Sequence, residues 1–87
     1  MQSKTDLIIQ ELQKLFRGEC DPWEFSCSFP DMVYYNYDEL EDEHKGLGYY
    51  LDQEVPDICD EGEPGFDPTN MIKRLKEVYE RIKAFCN

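Results

Sequence analysis

Between residues 31 and 67 the chain has one basic residue, Lys45, against thirteen acids. That stretch carries a net −12, whereas residues 1–30 sum to −2, residues 68–87 to +3 and the whole chain to −11. A surface so poor in Lys and Arg repels phosphates, which argues against nucleic acid as a partner. Histidine is almost absent too. His44 is the only one, so a nucleophile has one candidate base and a zinc-hydrolase motif lacks its second ligand. No Gly-rich run precedes a Lys-Ser or Lys-Thr pair, which removes the common nucleotide loop. No run approaches the roughly 20 apolar residues that span a bilayer. The start, MQSKTDLIIQELQKLF, interrupts its short apolar run with Asp6 and Glu11, and no small-residue cleavage site follows. No secretory signal is therefore expected, and the cytoplasm is the expected location. The four cysteines, Cys20, Cys27, Cys59 and Cys86, are too sparse for a disulfide scaffold and too loosely spaced for structural zinc. Free thiols are expected, with Cys59 and Cys86 as core or near-core fillers. No cofactor, metal or catalytic constellation is expected.

What is present is a well-patterned small domain. The 87 residues suit one domain with a modest core. Six Tyr, five Phe and one Trp argue against global disorder despite the charge. A first helix is predicted from about Thr5 to Arg17, with Leu7, Ile8, Leu12, Leu15 and Phe16 on one face, Ser3 or Thr5 as cap and Gly18 as stop. Asp21-Pro22 starts a short second helix over residues 22–28, favoured over an alternating strand, and Pro30 ends it. An aromatic connector follows through Met32, Val33, Tyr34, Tyr35 and Tyr37. Residues 38–60 carry an apolar stripe of Leu40, His44, Leu47, Leu51, Val55 and Ile58. They form one kinked helix or two. Gly46 and Gly48 permit close packing or mark a break, and Pro56 kinks or divides the segment. After a Gly/Pro turn, Asp67 and Pro68 open a last helix to about Phe85, buried through Met71, Ile72, Leu75, Val78, Tyr79, Ile82 and Phe85. The expected fold is all-α: a small antiparallel helical bundle of three longer helices plus one short one.

The acids of the third segment pair at helical spacing, Asp38 with Asp42 and Glu39 with Glu43. Like charges four apart cost a few tenths of a kcal/mol each, roughly. Such a concentration works against folding and points to another use, the steering of a basic protein.

The order of features resembles the colicin D immunity protein-like family of bacterial toxin immunity proteins. The resemblance rests on a first amphipathic helix closed by Gly18, the segment Asp21-Pro22-Trp23-Glu24-Phe25, an acidic helix, an acidic Pro-containing turn and Leu75-Lys76-Glu77. It implies a cytoplasmic helical bundle that binds a toxic nuclease domain and covers its active site, acids standing in for substrate phosphates. The matching acids are Asp38, Glu39, Glu41, Asp42, Glu43, Asp52, Glu54, Asp57, Asp60 and Glu61. Candidate anchors among them are Tyr34, Tyr35, Tyr37, Tyr49 and Tyr50, with Tyr35, Tyr37 and Tyr50 foremost. The expected function is an immunity protein without enzymatic turnover. Its expected partner is a basic protein, a toxin nuclease domain, with no nucleic acid and no membrane. Composition leaves the oligomeric state open and favours a monomer. The alternative is a small acidic regulator or adaptor that masks a basic nucleic-acid-binding protein; an enzyme or metal carrier is the remaining class.

Overall fold

The computed structural model describes residues 3–60 and 68–86, and among them every regular element is a helix. Helix α1 is Lys4–Phe16. Its cap is Ser3, whose Oγ accepts the N–H of Asp6 at 3.1 Å. It ends as a Schellman turn: Gly18 takes φ +74°, its N–H reaches the Leu15 carbonyl, and the Glu19 N–H reaches that of Lys14. Helix α2 is Pro22–Tyr35, with Asp21 Oδ1 accepting the Trp23 N–H at 3.2 Å.

One expectation about proline is corrected here. Pro30 does not end the second helix, which runs through it and absorbs most of the aromatic connector. A proline inside a helix costs about 3 kcal/mol. Phe25, Phe29 and Val33 form one buried stripe across it, and each such side chain contributes about 1.5–3 kcal/mol. Packing wins. Pro56 likewise divides nothing: helix α4, Leu47–Cys59, passes through it with Leu47, Leu51, Val55, Ile58 and Cys59 buried.

The third segment is two helices, and the break lies earlier than Pro56. Helix α3 is the seven-residue Tyr37–Glu43. The chain then turns at Gly46, whose φ of +90° is open to glycine and strained for other residues. Gly48 has the second job foreseen for the pair. A Cβ on it would lie 2.8 Å from Tyr37 O and 2.8 Å from Glu41 Cγ, so its bare backbone lets α3 cross α4 closely. Helix α5 is Thr69–Phe85, with Pro68 at the cap position. Asp67, expected as its cap, lies outside the described residues. Among the described residues the expected count of three longer helices and one short one becomes four longer and one short.

Helix α4 packs against α2, α3 and α5, and α1 closes the core against α5, α2 and α3. Every helix contributes: Ile8, Leu12 and Leu15; Phe25, Phe29 and Val33; Leu40; the α4 stripe; and Met71, Leu75, Val78 and Ile82. His44, placed in the apolar stripe by sequence, is only half-buried at the end of α3. Its Nε2 lies 3.7 Å from Cys86 Sγ. Cys86 is exposed, against expectation, because the last turn of α5 reaches past the core; Cys59 is buried as expected. Among the described residues no helix is long and apolar enough to cross a membrane.

Candidate protein-binding surface

The structure sorts the acids of the third segment into groups with different work. Glu41 and Glu43 turn their carboxylates to the N-terminal amides of neighbouring helices. Glu43 Oε2 accepts the N–H of Lys4 at 2.8 Å, and Oε1 accepts the N–H and the hydroxyl of Thr5 at 2.8 and 2.6 Å. One carboxylate thereby serves the free amides of α1 and meets the positive end of its dipole. Glu41 does the same for α4, which has no cap of its own. Its Oε1 accepts the Tyr49 N–H at 2.6 Å and its Oε2 the Gly46 N–H at 3.1 Å. The Tyr49 and Gly46 amides hold the Glu41 pKa below the ordinary glutamate value against partial desolvation. Desolvation also opposes the Glu43 charge, but its bonds to Thr5 and Lys4 outweigh it and lower the pKa.

A second group forms an open cleft of about 470 Å³ where α2 ends, α3 begins and α4 passes. Tyr34, Tyr35, Tyr37, Asp38 and Asp52 line it. Tyr34 and Tyr35 are 70 % and 77 % exposed, and their rings meet edge to face at 5.7 Å. Such exposure is unusual for two adjacent aromatic rings whose chain has an apolar core to bury them in. Asn36 makes the corner: its Nδ2 donates to the Met32 carbonyl at 2.7 Å, and its own carbonyl accepts the Leu40 N–H. Desolvation and the carboxylates of Glu41, Asp52 and Asp38 push the Tyr37 pKa up. The cleft therefore carries two carboxylates, Asp38 and Asp52, and no lining cation.

Glu39, Asp42, Asp57 and Asp60 are exposed. The ion pairs found among the described residues join Lys14 to Glu11, Arg17 to Glu19 and Lys83 to Glu80. None uses an acid from residues 31–60.

Tyr50 and Glu54 belong to the other side of α4. Tyr50 is half-buried, its ring 5.9 Å from that of Phe85 and 5.7 Å from the Arg81 guanidinium. Desolvation leads in raising its pKa, with Glu54 adding and Arg81 opposing. The structure does not bring these two residues to the cleft. Glu61 lies outside the described residues. Tyr49 is 60 % exposed, and Trp23, 47 % exposed, shares the outer face of α2 with Tyr34 three turns further on. Trp23 is an exposed ring that sequence reasoning left out of the site. The signal for it was the Phe25–Phe29–Val33 spacing, which turns Trp23 outward once the helix is extended.

Among the described residues no group of three or more His, Cys, Asp or Glu side chains is arranged to hold a metal ion. No family model, curated protein or solved structure matches the chain.

Proposed function

We propose that this protein is a cytoplasmic inhibitor that binds a basic protein partner through its α3–α4 acids, and that the partner is a toxin nuclease domain to which it confers immunity. The observation that carries the reading is the separation of charge: exposed acids on α3 and α4 without intramolecular ion pairs among the described residues, beside a cleft of exposed tyrosines. Acids held on a helical scaffold at close spacing present a negative array to Lys and Arg that otherwise hold substrate phosphates. The tyrosines supply apolar contact area at low entropic cost. Inhibition follows from occlusion of the nuclease site, with no bond made or broken.

The reading is tested by co-expression. A nuclease toxin domain encoded beside this chain should be tolerated by cells that carry the chain and kill cells that lack it. Death in both cases contradicts immunity. Recovery of a housekeeping nucleic-acid-binding protein as the bound partner would place the chain with acidic regulators instead.

A further inference from the structure

Three cations of α5 lie over aromatic rings. Lys76 lies 5.9 Å from the Phe16 ring centre, Arg81 lies 5.7 Å from that of Tyr50, and Lys83 lies 5.2 Å from that of Tyr79. The rings of Tyr34, Tyr35 and Tyr37 line one cleft with two carboxylates, Asp38 and Asp52. Yet from Glu19 to Ile72 the chain has one Lys or Arg, Lys45. It lies beside Glu41, seven residues beyond Asp38 at the far end of α3.

We propose that the cleft of Tyr34, Tyr35, Tyr37, Asp38 and Asp52 receives a single arginine side chain projected by the basic partner, an inference that rests on the partner reading above. A guanidinium is planar, so it stacks flat on a tyrosine face while its edge donates paired hydrogen bonds to a carboxylate. Lysine offers one point charge and keeps its water more tightly. The two aspartates come from different helices and the rings from the α2–α3 corner, so the walls and the charge are fixed by the core rather than by a loop.

The test is an NMR titration of the full chain with capped Gly-Arg-Gly, and with its lysine and citrulline counterparts, at about 0.1 M salt. Citrulline keeps the planar shape and loses the charge. The arginine peptide should produce saturable shifts confined to Tyr34, Tyr35, Tyr37, Asp38 and Asp52. Binding should be about threefold or more weaker for lysine and undetectable for citrulline. Asp52→Asn and Tyr35→Leu, each checked for an unchanged helical signal, should each weaken the arginine peptide by about three- to tenfold. Equal shifts from lysine, shifts spread evenly over the acids of α3 and α4, or indifference to both substitutions overturns the proposal. If a basic partner is still captured by the intact chain while the peptide shows no selectivity, the cleft alone is wrong. If neither is bound, the partner reading falls with it.

Discussion

Glu43 Oε1 accepts both the backbone N–H and the hydroxyl of Thr5, at 2.8 and 2.6 Å, across 38 residues of sequence. An acid that composition alone assigns to partner binding thus ties α3 to the first turn of α1. Cap removal typically costs about 1 kcal/mol. Glu43→Ala is expected to lower the unfolding free energy by that order, read as a lower urea midpoint at unchanged slope, and Thr5→Val to do part of the same. A midpoint equal to that of the parent chain would show that the bond contributes nothing.

The pH dependence follows from two carboxylates. Glu41 and Glu43 both have folded pKa values below the ordinary glutamate value of 4.5. A depressed folded pKa gives stability that is complete above the unfolded value and is lost as pH falls through the folded one. Unfolding midpoints should therefore decline below about pH 4.5, and the combined Glu41→Gln, Glu43→Gln chain should follow a flatter curve in that window. Parallel curves would contradict the capping role.

Gly48→Ala tests the crossing of α3 over α4. In an exposed helix interior, alanine is favoured over glycine by about 1 kcal/mol. Here the added Cβ meets Tyr37 O and Glu41 Cγ at 2.8 Å each, and the backbone oxygen cannot swing aside. The substitution is expected to lower the thermal midpoint, and a rise would show that the crossing is loose.

Thiol reactivity should separate the cysteines. Cys27 is exposed, whereas Cys59 is buried and its pKa is pushed up to about 12, burial leading and Asp60 adding. The thiolate is the reacting form. Iodoacetamide at neutral pH should label Cys27 quickly and Cys59 only on unfolding. Comparable rates at both would contradict the packing of α4.

The helical stripes were legible because burial here follows the 3.6-residue period: Ile8, Leu12 and Leu15, or Met71, Leu75, Val78 and Ile82, are read directly from spacing. Pro30 misled. The local penalty at Pro30 is visible in sequence, but the tertiary burial of Phe29 and Val33 that outweighs it is not. The acids misled in another way. Asp42 and Glu43 are exposed neighbours of the same charge, and only the position of Thr5, 38 residues from Glu43 and bonded to it, distinguishes them. A clue was present at α4, whose start at Gly46-Leu47 has no Ser, Thr, Asp or Asn to cap it. That absence calls for a carboxylate from elsewhere, which Glu41 supplies. The bonds from Glu43 to Lys4 and Thr5 remove Glu43 from the charge-reversal experiment that composition suggests, in which Asp38, Glu39, Asp42 and Glu43 all become Lys with the helices intact. Changing Glu43 would disturb α1 as well as the surface.

The most direct measurement is a paired capture from source cytosol at about 0.1 M salt, low enough to keep surface charge effective. One bait is the parent chain. The other carries Asp38, Glu39, Asp42 and Asp57 reversed to Lys, with Glu41 and Glu43 kept. A basic nuclease domain held by the parent and lost by the reversed chain is the expected result. The same proteins on both baits, or no basic protein on the parent, would contradict an acidic face built to bind one.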